Sequence, residues 1–173
     1  VSDFRESEKQ PIAVVFHINH DENTEGNGYA VYLWDLEPLA FADSIGVKQN
    51  TSADIAALDG FENTFALLDA RETSSPLAEK VFDMWRYGQS AYVPSVAQMR
   101  LLYHAKEQIN PVIKMCGGDT LSIEADDCWY WTSTEVNEQQ TAKAWLYSMG
   151  SGTIHDTPKI QAHKSRAIIT LRD

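Results

Sequence analysis

The chain has 173 residues, of which 43% are hydrophobic and 23% are charged, as is typical of a globular domain. These fractions exclude disordered and collagen-like classes, and the length favours a single domain over residues 1–173. The net charge of −11 argues against nucleic acid or an anionic membrane surface as the main partner. Because no segment approaches the ~20 apolar residues of a membrane span, membrane insertion is not expected.

The N-terminal part of the chain is predicted to be rich in β-structure. Residues 1–10 are polar and are expected to form a mobile lead-in. Hydrophobic runs at 12–18 and 29–36 flank a polar, acidic loop, which predicts a β-hairpin with a long tip. Residues 37–60 are predicted to be irregular, since they combine Pro38 and Gly46 with a Ser/Thr/Asn cluster.

Two or three helices are predicted in the middle of the chain. Apolar residues between positions 61 and 71 follow a helical spacing. A second helix is predicted to begin at Pro76 with Ser75 as its N-cap. Residues 95–98 carry a capping-box signature, which opens a third helix that is expected to end before Pro111.

Short strands are predicted in the C-terminal part of the chain. They fall at residues 129–131, 142–149, 153–155 and 166–171, with a turn at 150–152. Strands at both ends with helices between them indicate the α+β class rather than alternating βαβ units. The expected architecture is an N-terminal β-hairpin, central helices and a C-terminal antiparallel sheet.

The sequence predicts no metal site and no cofactor. The loop that starts at Asp21 begins with the spacing of an EF-hand, but its twelfth position is Tyr32, where a bidentate glutamate is required. His155 and His163 could approach each other across the C-terminal sheet, yet they lack a third ligand.

The sequence also predicts no catalytic constellation. It contains no GxSxG elbow and no phosphate-binding glycine-rich loop. Asp126 and Asp127 are interpreted as part of a hydrated loop. Cys116 and Cys128 leave two alternatives open, a stabilising disulfide or a pair of buried thiols.

The polar and aromatic residues of the C-terminal strands are the candidate ligand-binding surface. Rigid aromatic side chains with hydrogen-bonding neighbours supply contact area at low entropic cost. Alternation places Trp145 and Tyr147 on one face of their strand and Leu146 on the other, so part of the set serves packing if one face is core. The candidate residues are Asn137, Gln139, Lys143, Trp145, Tyr147, His155, Lys159, Gln161 and His163.

Several short motifs resemble those of a known family. Residues 92–103 (YVPSVAQMRLLY) resemble a WYLPSAGEL…LY signature, and residues 129–135 (WYWTSTE) are similar to YYWSSTE. Residues 144–147 match AWYV, residues 165–167 match part of VRAVR, and residues 57–64 are similar to a stretch containing LDGYENT. Together they resemble, over about 58–171, bacterial surface domains related to the Lcl C-terminal domain.

The resemblance implies a C-type-lectin-like fold, which phage tropism determinants and formylglycine-generating enzymes share. It places the ligand surface on the C-terminal strands and their loops, and it makes Arg166 a structural residue with Glu135 as its expected partner. Calcium-mediated sugar binding is not expected, because Glu135-Val136-Asn137 lacks the family's proline and no Trp-Asn-Asp follows. Both cysteines precede the WTSTE strand, so the formylglycine-generating activity is not carried over.

The expected function is therefore non-enzymatic recognition or adhesion at the cell surface or in secreted form, with an unknown protein or glycan as ligand. Two alternatives stay open. One is an enzyme or enzyme relative on the formylglycine-generating scaffold. The other is a structural module associated with a pilin or a stalk.

Overall fold

A computed structural model describes residues 11–21, 26–85 and 89–172. Within these ranges the chain forms three helices and three small antiparallel sheets, which confirms the predicted α+β class. The expected mobile lead-in at 1–10 lies outside the described residues, as does part of the acidic hairpin tip at 22–25.

Along the described part of the chain, three strands are followed by three helices and then by five strands. The helices are α1 (Gly60–Asp69), α2 (Pro76–Phe82) and α3 (Val96–Met115), and the strands are β1 (Ala13–Ile18), β2 (Gly28–Tyr32), β3 (Leu36–Ala40), β4 (Trp129–Glu135), β5 (Lys143–Ser148), β6 (Ile154–Pro158), β7 (Ala162–Ser165) and β8 (Ile168–Leu171).

The three sheets bring distant parts of the chain together. β2 pairs with β1, as the predicted hairpin requires, and also with β8. β4, β5 and β6 form a second antiparallel sheet in that order, and β3 pairs with β7 in a third. The sequence did not predict β3 or β7, because β3 contains Pro38 and shows no clear alternation, and β7 is only four residues long.

Both predicted N-caps are confirmed. The Ser75 hydroxyl accepts a hydrogen bond from the backbone N–H of Ala78 at 3.1 Å, at the start of α2. At the start of α3, the Ser95 hydroxyl accepts from the Gln98 N–H at 3.3 Å, and the Gln98 amide oxygen accepts from the Ser95 N–H at 3.0 Å. This reciprocal pair satisfies backbone donors that the first helical turn leaves free.

The prediction that α3 ends before Pro111 is wrong, because the helix continues to Met115. A proline inside a helix removes one backbone hydrogen bond and is costly. Here Pro111 is exposed, while Ile109 and Ile113 on either side of it are buried in the core. Tertiary packing of the apolar face therefore outweighs the local preference to stop.

No helix within the described part of the chain combines the length and the apolar character needed to cross a membrane. α3 is 20 residues long, and it carries exposed charged side chains such as Arg100 and Lys114.

Among the described residues, the hydrophobic core forms two clusters, and β5 contributes to both. Tyr147 packs in the cluster that contains Met99 of α3. Leu146, its neighbour in sequence, packs in the cluster that contains Leu77 of α2 and Trp131 of β4. Both faces of β5 therefore contribute side chains to the core.

Candidate functional site

A cavity of about 510 Å³ opens on the face of β5 and β6 that carries Leu146, and we call it the β6–β7 groove. Such a volume falls in the range of small-ligand sites. Its walls come from β3, the loop before β4, and the strands β4 to β7. The residues that matter most for its chemistry are Asp126, Trp129, His155, Thr157, Gln161 and His163.

Strand register places His155 and Thr157 at the groove. His155 lies opposite Leu146 in the antiparallel pairing of β5 with β6, and Thr157 follows two residues later on the same face. The His155 Nδ1 atom is 3.2 Å from the Thr157 hydroxyl, which orients the imidazole. The Trp129 and His155 rings meet edge to face, with their centroids 6.1 Å apart.

His163 forms the opposite part of the groove on β7. Its Nε2 atom is 3.0 Å from the Gln161 amide oxygen, and its ring lies edge-on to Trp131 with centroids 5.3 Å apart. Partial burial lowers the pKa of His163, and the nearby His155 lowers it further. The structure thus brings together the two histidines that the sequence placed on the C-terminal sheet.

The loop before β4 gives the groove an acidic rim. Asp127 accepts a hydrogen bond from the Lys164 ammonium at 2.8 Å, and this contact lowers the pKa of the Asp127 carboxyl. Lys164 also lies 3.6 Å from Asp35 and 4.5 Å above the centre of the Tyr130 ring. Burial opposes protonation of Lys164, but the hydrogen bond to Asp127 and the neighbouring charges raise its pKa overall.

Two of the predicted ligand-binding residues line a different cavity. Asn137 and Trp145 border a volume of about 460 Å³ beside residues 52–55. Trp145 is next to Leu146 along β5, so its side chain points to the opposite face of the strand from the β6–β7 groove. Its indole Nε1 is buried and has no hydrogen-bond partner within the described residues.

Two other predicted residues lie away from both cavities. Gln139 is exposed in the turn between β4 and β5. Lys143 forms a half-exposed ion pair with Asp156 of β6 at 2.9 Å. Neither residue contributes to the lining of the β6–β7 groove.

Lys159 lies in the interior and not on a ligand surface, contrary to the prediction. Its ammonium pairs with the Glu135 carboxylate, and both side chains are 0% exposed. The Glu135 carboxylate also accepts hydrogen bonds from the backbone N–H groups of Gln49 and Thr51, each at 3.0 Å. Burial lowers the pKa of Lys159, and the contact with Glu135 opposes that shift.

Tyr147 is also buried, with 1% of its surface exposed. Its ring packs against Tyr103 of α3, with the centroids 6.1 Å apart. The alternation of side chains along β5 correctly predicts that Tyr147 and Leu146 lie on opposite faces of the strand. The face that carries Tyr147 is covered by α3.

The expected partnership of Arg166 with Glu135 is wrong as well. The Arg166 Nε donates to the Asp35 carboxylate at 2.7 Å, and its NH1 group donates to the Tyr32 carbonyl at 3.2 Å. Glu135 pairs with Lys159 instead. A buried carboxylate requires a cation, but sequence alone does not say which one reaches it.

Of the two alternatives for the cysteines, the structure has free thiols at Cys116 and Cys128. The Cys128 sulfur is buried and lies 3.3 Å from the Ser148 hydroxyl.

Sequence reasoning missed Trp129 and Asp126 as lining residues of the groove. The sequence predicts Trp129 only as part of an aromatic strand and Asp126 only as part of a hydrated loop. Asp126 and Trp129 are three positions apart, at the point where an acidic loop leads into an aromatic strand. That arrangement is the sequence signal that could have identified them.

Among the residues that the structure describes, no three His, Cys, Asp or Glu side chains are arranged to hold a metal ion. No protein-family model and no curated protein matches the chain.

Proposed function

We propose that this chain is a non-enzymatic, extracytoplasmic recognition domain that binds a protein or glycan ligand in the β6–β7 groove. The observation that carries the proposal is the convergence of Trp129, His155, Gln161 and His163 on one open cavity of about 510 Å³. These residues come from three different strands and the loops between them, in the part of the chain to which the family resemblance assigns ligand binding.

The groove has the properties of a preformed binding surface. Trp129 is half-buried and packs partly against the core, so its ring is held before a ligand arrives. The histidine and glutamine side chains already contact Thr157 or each other, which limits the rotamer freedom that binding would remove. An aromatic surface with polar groups at its edge can contact either a sugar ring or a peptide.

We further propose a C-type-lectin-like fold for this α+β architecture. The N-terminal hairpin, the helices in the middle of the chain and the antiparallel C-terminal strands support that proposal. The WYWTSTE motif, residues 129–135, forms β4 and contributes Tyr130 to one core cluster and Trp131 to the other.

A second candidate function is a structural module that packs against neighbouring subunits of a pilin or a stalk. The observation in its favour is the exposure of two aromatic side chains, Phe65 of α1 at 55% and Phe82 of α2 at 49%. Large exposed apolar patches often mark protein–protein contacts.

A binding screen against glycans and candidate host proteins, with and without EDTA, tests the main proposal. The groove variant is His155→Ala combined with Gln161→Ala, and both of these side chains are exposed. The matched control combines Glu107→Ala with Gln108→Ala on the exposed side of α3. We expect a ligand that binds equally well in EDTA and at least tenfold more weakly to the groove variant, an effect of about 1.4 kcal/mol or more.

The control variant should keep the affinity of the unmodified chain, and all three proteins should melt at the same temperature. A ligand whose affinity falls on Asn137→Ala but not in the groove variant would place the site in the other cavity and contradict the proposal. Self-association lost on Phe82→Ser, with no ligand in the screen, would support the structural module instead.

A further inference from the structure

We infer that the ligand of the β6–β7 groove is a polypeptide segment that inserts an arginine or lysine side chain between Trp129 and the Asp126 carboxylate. The inference rests on the proposed function, because it names the class of ligand for the same groove.

The charged side chains that line the groove favour a cationic ligand. The cation among the lining residues is Lys164, and it is already engaged by Asp127 at 2.8 Å and by Asp35 at 3.6 Å. Asp35 is shared with the buried guanidinium of Arg166. The exposed Asp126 carboxylate has no ion pair within the described residues, so it remains available to a cation from outside.

The charge of the whole chain acts in the same direction. The loop before β4 carries Glu124 in addition to the two aspartates of the rim, and all three are exposed. With a net charge of −11, the protein repels polyanions and attracts cationic partners during diffusional encounter. A sulfated polysaccharide is therefore a poor ligand for this surface, and a basic polypeptide is a favourable one.

Trp129 supplies the second attraction for a cationic side chain. Its ring lines the groove three residues after Asp126, at the point where the acidic loop enters β4. Ammonium and guanidinium groups are attracted to the face of an indole ring, and the flat guanidinium also stacks on it. A side chain between Trp129 and Asp126 thus has an aromatic contact and a carboxylate partner together.

The remaining walls suit the neighbours of that side chain in a peptide. Pro38, Leu146 and Pro158 add apolar surface, and the exposed amide of Gln161 adds a hydrogen-bonding group that can meet a peptide backbone. The cavity of about 510 Å³ holds more than one side chain, so a free amine would leave much of it unfilled.

A titration followed by ¹⁵N–¹H NMR tests the inference with two peptides that differ in charge alone. One is Ala-Pro-Arg-Leu-Ala with blocked ends, and the other carries citrulline, which is neutral and nearly isosteric, in place of arginine. We expect the arginine peptide to shift the Trp129 indole resonance and amides of β6 and β7. The citrulline peptide should bind at least about fivefold more weakly, in line with a loss of about 1 kcal/mol.

Asp126→Asn separates the specific contact from the general charge effect. It should weaken binding of the arginine peptide by a smaller factor than citrulline does, because the attraction of the cation to the Trp129 ring remains, and it should leave the affinity of the citrulline peptide unchanged. Glu107→Gln on α3 changes the net charge by the same amount away from the groove and should leave both affinities unchanged.

Equal affinities for the two peptides, or an arginine affinity that Asp126→Asn does not change, would overturn the inference. If the chemical-shift changes in that case were confined to residues of the groove, the proposed function would still hold. A neutral chito-oligosaccharide that shifts the groove resonances when the arginine peptide does not would also overturn the inference and keep the function. If every probe changed only the resonances of residues outside the groove, the result would contradict both the inference and the proposed function.

Discussion

Lys143 and Lys159 show how the same residue type has two roles in this chain. Lys143 forms a half-exposed pair with Asp156 on neighbouring strands. Lys159 lies fully inside, paired with Glu135, whose carboxylate also accepts hydrogen bonds from two backbone N–H groups of residues 49 and 51. The second pair holds an irregular segment against β4, so its loss should affect folding and not ligand binding directly.

Lys159→Met should lower the free energy of unfolding by about 3–5 kcal/mol, because it leaves the Glu135 carboxylate buried without a cation. Lys143→Met should lower it by no more than about 1 kcal/mol, since solvent screens the exposed pair. Urea denaturation of both variants measures the difference. Equal losses of stability would contradict the interior placement of Lys159.

His163 should titrate below the ordinary range of a histidine, because partial burial and the nearby His155 both lower its pKa. His155→Ala should move the pKa of His163 upward only in part, since burial is the larger cause. In the window between the lowered pKa and that of the unfolded chain, the unfolded state binds more protons, so stability falls as the pH decreases. Proton–carbon NMR of the imidazole rings follows the titration, and an unshifted His163 would contradict the structure.

Among the helices and strands, local sequence signals predict where α2 and α3 begin. Long-range contacts determine the pairing of β3 with β7 and the end of α3. The caps at Ser75 and Ser95 depend on residues three positions apart, and both were predicted correctly. β3 and β7 pair with each other across most of the chain, so neither could be recognised from its own residues. α3 continues past Pro111 because the core buries Ile113, and that is also a tertiary effect.

The turn between β5 and β6 depends on Gly152 for two separate reasons. Its φ of +72° lies in the left-handed region, and a Cβ there would come within 2.7 Å of the Tyr103 ring. Gly117, after α3, has a φ of +83°, but a Cβ at this position would have no neighbouring atom within 4 Å. The two glycines therefore form a matched pair that separates backbone strain from steric contact.

Gly117→Ala should lower the free energy of unfolding by about 1–2 kcal/mol, through backbone strain alone. Gly152→Ala should lower it more, because the Tyr103 ring must also move away from the new methyl group. Thermal unfolding of the two variants gives the comparison. A smaller effect at Gly152 than at Gly117 would contradict the packing of the turn against α3.

Across the whole molecule, the sequence predicts the region of the candidate site and some of its members. Three of the predicted residues, His155, Gln161 and His163, lie together at the β6–β7 groove. Trp145 points away from it and Tyr147 is buried. Alternation assigns residues to the two faces of a strand, but it does not say which face a helix covers or how a distant loop closes a cavity.

Ligand binding in the β6–β7 groove can be measured by hydrogen–deuterium exchange of the chain with and without its strongest ligand from the binding screen. Binding in the groove should slow exchange in the loop before β4 and along β6 and β7, with no change in α1 and α2. Protection confined to residues 52–55 and the region of Asn137, or to α1 and α2, would contradict binding in the groove.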